Sequence, residues 1–186
     1  IHSGVRHAVV APGSRSTPLA VALAARSEIR VHLFHDERSA SFAALGIGLS
    51  TKMPAILLCT SGTAATHFLG AVVEAHQSNV PMIVCTADRP PELRDVGAPQ
   101  TIDQTNLFGS ATRWFHDPGV PSFDASSSWR SLASRAYNVS LGARPGPVHL
   151  NLPFREPLLG NTLELPERKA DGFVGLVRAS AVADDD

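Results

Sequence analysis

The sequence predicts a doubly wound α/β domain, a mainly parallel six-stranded sheet with helices on both faces. Three observations predict it. Short runs rich in Val, Ile and Leu recur along the chain, helical stretches separate them, and each run is continuously apolar rather than alternating. Continuous apolar character belongs to strands covered on both faces, as in parallel sheets. Alternation of strand and helix then implies right-handed crossovers between parallel neighbours.

The expected strands are residues 7–11, 31–34, 55–59, 82–85 and 148–150, with 111–116 a weaker sixth. Helical stretches are expected near 17–25, 39–50, 63–77 and 127–142. The helix at 39–50 carries Gly46 and Gly48, each costing about 1 kcal/mol relative to alanine inside a helix. With Ala40, Ala43 and Ala44 beside them, these glycines imply close approach to another backbone, within the domain or across a dimer interface. After Leu152 the pattern turns to Pro153, Phe154, Arg155, Glu156 and Pro157, then to a polar tract, which reads as a linker leaving a finished domain. A domain over 1–158 and a linker over 159–186 towards a further domain are therefore expected. The aspartates at 184–186 read as a solvated end and are assigned no metal. Because the chain opens at Ile1, almost inside the first strand, a fragment of a longer protein is expected.

Length and composition narrow the function. With 186 residues and 44% hydrophobic content, the chain has apolar material for one well-buried core. Its 16 basic and 17 acidic residues form no long block of either sign, so there is no footprint for nucleic acid or an anionic membrane surface. No apolar run approaches the roughly 20 residues needed to cross a bilayer. Cys59 and Cys85 fall in apolar strands and read as buried reduced thiols, which suggests a cytoplasmic protein. The eight histidines show no HExxH or other ligand spacing, and no serine sits on a GxSxG elbow. Small molecules and other protein subunits are the expected partners.

Four polar turns follow the first four strands, and in a parallel sheet they would line one crevice at the carboxyl edge. The first, Ala11-Pro12-Gly13-Ser14-Arg15-Ser16-Thr17, opens a helix; Ser14, Ser16 or Thr17 can cap it, and Arg15 is a planar fork suited to a carboxylate or simply a surface arginine. The second is the acidic turn Phe34-His35-Asp36-Glu37-Arg38, where Glu37 could serve as a cap, a metal ligand or a general base. The third, Cys59-Thr60-Ser61-Gly62-Thr63, lacks a P-loop lysine and is not GxGxxG; it fits backbone approach to a ligand or a plain Thr63 N-cap. The fourth, Asp88-Arg89-Pro90-Pro91-Glu92-Leu93, is stiffened by two prolines and followed closely by Gln100.

Read in order, Gly4-Val5-Arg6-His7, the Pro-Gly-Ser-Arg-Ser turn, Asp36-Glu37-Arg38, Thr60-Ser61-Gly62-Thr63, Asp88-Arg89-Pro90-Pro91-Glu92-Leu93 and Gly97-Ala98-Pro99-Gln100 form one series. From about residue 4 to residue 158 this series resembles the SEPHCHC synthase (MenD) family, thiamine-diphosphate enzymes of menaquinone biosynthesis. The resemblance implies the amino-terminal pyrimidine-binding domain of a decarboxylating carboligase, which joins 2-oxoglutarate to isochorismate with loss of carbon dioxide. It implies Glu37 as the residue that hydrogen-bonds a ring nitrogen of the cofactor's aminopyrimidine and activates it. It further implies Thr60, Ser61, Gly62 and Thr63 beside the cofactor, and Ser14, Arg15, Arg89 and Gln100 on the substrate side. Magnesium would be held with the diphosphate in a pyrophosphate-binding domain outside this chain, and the site would need a homodimer or homotetramer, so the fragment alone should be inactive. Pro99 departs from the family's usual asparagine. The alternatives are the pyrimidine domain of another thiamine-diphosphate decarboxylase or carboligase, and a non-catalytic dimerisation domain of the same fold.

Overall fold

The computed structural model describes residue 1 and residues 3–160. It contains strands β1 (His7–Val10), β2 (Arg30–Leu33), β3 (Ala55–Cys59), β4 (Met82–Asp88), β5 (Trp114–His116) and β6 (Pro147–Pro153). Four α-helices accompany them: α1 (Thr17–Ala24), α2 (Glu37–Thr51), α3 (Leu69–Gln77) and α4 (Ser126–Ser140). All six strands are parallel and lie in the order β2-β1-β3-β4-β6-β5.

Strand residues alternate between two buried cores, which explains why the runs lack polar alternation. Val9, Leu57, Met82 and Val84 face one side and pack with Ala40, Ala44 and Leu45 of α2 and Ala71, Val72 and Ala75 of α3. Ala8, Val10, Leu58, Ile83 and Val148 face the other, where Leu23 of α1 and Ala136 of α4 cover them. Cys59 belongs to the first core and Cys85 to the second, so the two free thiols are separated by the sheet itself.

Four elements differ from expectation. β4 and β6 continue to Asp88 and Pro153 because Thr86, Ala87 and Asp88 stay in register with Asn151, Leu152 and Pro153. Their polar side chains hydrogen-bond one another, so the sheet persists where the apolar pattern stops. The stretch expected as one helix over 63–77 begins with a 3-10 segment, Gly62–Phe68, and becomes α-helical only at Leu69. Within 111–116 only Trp114–His116 is strand, a half-buried edge, while Ala111 closes a 3-10 turn. The linker expected over 159–186 lies outside the described residues, apart from Leu159 and Gly160.

The glycines of α2 have different surroundings. A Cβ on Gly48 would meet Val80 Cγ1 at 2.6 Å and the Pro81 carbonyl oxygen at 2.8 Å, whereas one on Gly46 would meet nothing within 4 Å. Close backbone approach within the domain therefore explains Gly48 alone. A cavity of about 1130 Å³ lies on the opposite side of the sheet between α1 and α4. Apolar side chains such as Leu19, Trp129 and Leu132 dominate it, and it includes none of the expected site residues.

Gly48→Ala is expected to destabilise the chain by about 1–3 kcal/mol through overpacking, while Gly46→Ala should stabilise it by up to about 1 kcal/mol through helix propensity. Urea unfolding of the two variants checks both signs.

Candidate functional site

Strand order puts the four polar turns side by side at the carboxyl edge. The chain runs outward from β1 to β2 and then returns past β1 to β3, so the sheet reverses direction between β1 and β3. Ligands of open α/β sheets bind at such a reversal.

At the end of β2, Asp36 and Glu37 divide two tasks. Asp36 is the N-cap of α2, its carboxylate accepting the Ser39 N–H at 2.7 Å, and that bond holds its pKa below the usual carboxylate range. Glu37, the first residue of α2, is half-buried and makes no hydrogen bond or ion pair among the described residues. Its charge adds to burial in pushing the Cys59 thiol well up, which puts the carboxylate near the end of β3. The cap is therefore already filled by a neighbour, and Glu37 is left with an uncommitted acceptor.

The β1 and β3 turns abut. A Cβ on Gly13 would lie 2.5 Å from Thr60 Cβ, so only glycine fits there. Thr60 is buried with its hydroxyl unpartnered. No serine or threonine side chain caps α1; Ser16 Oγ instead donates 2.9 Å back to the Gly13 carbonyl, closing the 3-10 turn Ser14–Ser16. Nor does Thr63 cap the next helical segment, whose N-cap position belongs to Ser61. Ser14 and Thr63 are exposed, and neither side chain joins the hydrogen bonds described next.

Arg89, Ser61, Gly62 and Gln100 converge. Arg89 Nη1 donates to Ser61 Oγ and, at 3.1 Å, to the Gln100 carbonyl, while Gln100 Nε2 donates 3.1 Å to the Ser61 carbonyl. Gly62 sits at φ +81°, and a Cβ there would meet the Gln100 carbonyl oxygen at 2.9 Å. Both the conformation and the contact demand glycine. Arg15, 6% exposed, is close enough for its charge, after desolvation, to lower the Arg89 pKa.

Beneath this cluster lies a buried polar chain that sequence reasoning missed. Gln104 Oε1 accepts the Gly62 N–H at 2.8 Å, and its Nε2 donates to the Ala87 carbonyl at 3.1 Å and to Asn151 Oδ1 at 2.9 Å. Asn151 Nδ2 donates to Asp88 Oδ2 at 2.8 Å and to Asp117 Oδ2 at 3.1 Å. Arg94 pairs with both carboxylates, at 2.9 and 3.1 Å. Burial pushes the Asp88 carboxyl up, against the pull of Asn151, Arg94 and the Arg89 N–H. Thr86 Oγ1 gives its single hydrogen to Asn151 Oδ1 at 2.9 Å, so at 2.8 Å it must accept from His149 Nε2. His149 is thus the Nε2–H tautomer, with Nδ1 buried and unpartnered. The one signal in the sequence was polar residues interrupting the apolar runs at 86, 149 and 151.

The family described as "Thiamine pyrophosphate enzyme, N-terminal TPP binding domain" matches residues 1–107. The chain belongs to this family. Among curated relatives of this thiamine pyrophosphate enzyme domain is a Thermobifida fusca protein, 57% identical over 158 residues, which cover 84% of this chain and 29% of that protein. A Chloroflexus aurantiacus protein is 55% identical over 157 residues, covering 84% of this chain and 27% of its own length. One from Bacillus velezensis is 54% identical over 174 residues, covering 91% and 30%. All three are named 2-succinyl-5-enolpyruvyl-6-hydroxy-3-cyclohexene-1-carboxylate synthase. The chain spans less than a third of the length of these relatives.

Among the described residues, no group of three or more His, Cys, Asp and Glu side chains converges to hold a metal, and no helix is long and apolar enough to cross a membrane. What the edge offers is an uncommitted carboxylate on one side and two neighbouring guanidiniums on the other. That combination can orient an anion beside a group that needs a hydrogen-bond acceptor.

The buried chain also predicts acid sensitivity. Burial lowers the His149 pKa from 6.5 to about 3, so the native state keeps it neutral while the unfolded chain takes up a proton below pH 6.5. Its contribution to stability should fall by about 1.4 kcal/mol per pH unit as pH drops from 6.5 towards 3. The raised Asp88 carboxyl works the opposite way, but only near its own range above 3.8. Urea unfolding at pH 4–7 should show this slope, and His149→Gln, which keeps a donor for Thr86, should flatten it.

Proposed function

We propose that this chain is the pyrimidine-binding part of an enzyme that joins 2-oxoglutarate and isochorismate, with loss of carbon dioxide, in menaquinone biosynthesis. The product would be 2-succinyl-5-enolpyruvyl-6-hydroxy-3-cyclohexene-1-carboxylate, the compound for which its relatives are named. The observation that carries this reading is the pairing of an uncommitted Glu37 with the Arg15–Arg89 pair at one sheet edge. The first suits a cofactor ring, the second a dicarboxylate substrate.

Thiamine diphosphate, when bound, supplies the carbon nucleophile and the electron sink for decarboxylating a 2-oxo acid. The residues present fit it. Glu37 has an acceptor free for a protonated ring nitrogen, and the buried Thr60 hydroxyl lacks a partner that a polar ring substituent can provide. Ser61 and Gly62 shape the floor of the same turn, and Ser14 and Thr63 border it from exposed positions. Substrate carboxylates would be oriented by Arg15 and Arg89, with the Gln100 carbonyl accepting from Arg89 and its side-chain amide donating to the Ser61 carbonyl. Fixing a dianion by planar forks orients the reacting carbon and discriminates against neutral analogues.

The complete enzyme would be a homodimer or homotetramer, with magnesium and diphosphate held by a domain outside this chain. Exposed Phe42 and Leu49 on α2, and Leu69 and Val73 on α3, support burial of that face by another subunit. Buried free thiols support a cytoplasmic location. By itself the chain carries half of the site and would not turn over substrate.

In the full-length protein, Glu37→Gln is expected to keep the fold and lower isochorismate-dependent carbon dioxide release from 2-oxoglutarate by about 10²-fold or more. Near-normal turnover would remove Glu37 from this role, and release that ignores isochorismate would point to another decarboxylase. Arg89→Lys keeps the charge but not the fork, and should raise the KM of one substrate about tenfold.

A further inference from the structure

Arg15 is not a free fork. Its Nη1 donates 2.9 Å to the Phe154 carbonyl, its Nη2 donates 3.2 Å to Glu156 Oε1, and its buried Nε has no partner. The two partners come from the segment that follows β6, at the end of the expected domain. This segment is strapped across the site: the Phe154 N–H bonds the Asp88 carbonyl at 3.1 Å, and Arg155 grips Glu92 through bonds of 2.5 and 2.9 Å.

The two holds on Arg15 are unequal. The Phe154 carbonyl is part of the backbone tied to the end of β4, and together with burial of the guanidinium it sets where Arg15 lies. Glu156 contributes charge from a side chain that is 73% exposed, on an arginine side chain that is 7% exposed. An ion pair with one partner in water is weak and readily exchanged.

Charge balance points the same way. Arg15 lies close enough to Arg89 to disfavour its charge, which Asp88 and then Glu156, the carboxylate bonded to Arg15, favour. Asp88, the other nearby acid, is already paired with Arg94. Two guanidiniums thus share one exchangeable carboxylate.

We propose that Glu156 is a placeholder on Arg15, exchanged for a carboxylate of the incoming dicarboxylate substrate, and that it thereby sets substrate affinity. The exchange breaks the Nη2–Glu156 contact and forms the same contact to substrate, while Glu156 moves into solvent and Arg15 stays on the Phe154 carbonyl. The unpartnered Nε gives the incoming carboxylate a second donor that Glu156 does not use. This proposal rests on the reading of Arg15 as a substrate residue.

Glu156→Gln in the full-length protein tests it. Loss of the competing carboxylate should lower the KM of one of the two substrates about two- to fivefold, the size expected for an exposed pair, with the change carried by KM and not by kcat. In an Arg15→Met background the same substitution should change nothing. A KM that is unaltered or raised by Glu156→Gln overturns the proposal. Should the wild type release no carbon dioxide with isochorismate, the functional reading fails separately, and titration calorimetry with malonate decides the exchange. Tighter malonate binding by Glu156→Gln, abolished by adding Arg15→Met, supports it; equal, weaker or undetectable binding refutes it.

Discussion

Two carboxamides, Gln104 and Asn151, hold the carboxyl edge together, because between them they reach the β3 turn, the end of β4 and the end of β6 with every amide hydrogen used. A buried amide can do this because it donates twice and accepts twice in fixed directions. Each bond is worth little net, but breaking one leaves a buried group unmet, which costs more than making it gained. The Gly62 amide and the strand that leads into Arg89 are therefore held relative to one another by a chain with no easy alternative arrangement.

The arginines above that chain show how a like-charge pair is kept in place. Arg89 is held through Ser61 and Gln100, Arg15 through the Phe154 carbonyl, and Arg94 is drawn away to Asp88 and Asp117. None of these supports neutralises both Arg15 and Arg89. Backbone carbonyls and hydroxyls fix direction without cancelling charge, so the edge retains attraction for anions after its geometry is set. The strap at 154–156 adds a carboxylate, and adds it from solvent.

On the other side of the edge, the neighbouring acids Asp36 and Glu37 have separate tasks because one reaches the orphan N–H groups of α2 and the other does not. The helix start is satisfied by the shorter side chain, which leaves the longer one uncommitted near the end of β3. Small residues complete the arrangement: Gly13 lets the β1 turn touch Thr60, and Gly48 lets α2 lie against the chain at Val80 and Pro81.

What the sequence alone determined follows from local physics. Continuous apolar runs at 7–11, 55–59 and 82–85 could satisfy their side chains only in a doubly covered sheet, so class, parallel pairing and the cluster of four turns at one edge were legible. Tertiary structure decided everything that depends on pairing across distance. It extended β4 and β6 where Thr86 and Asn151 bond each other, and made a 3-10 segment of the stretch before Leu69. It gave the cap to Asp36 and folded the segment after β6 back onto Arg15. A buried Gln or Asn carries no periodic signal, because its partners lie up to 65 residues away, and an arginine's acceptors are named only when the chain folds back on it.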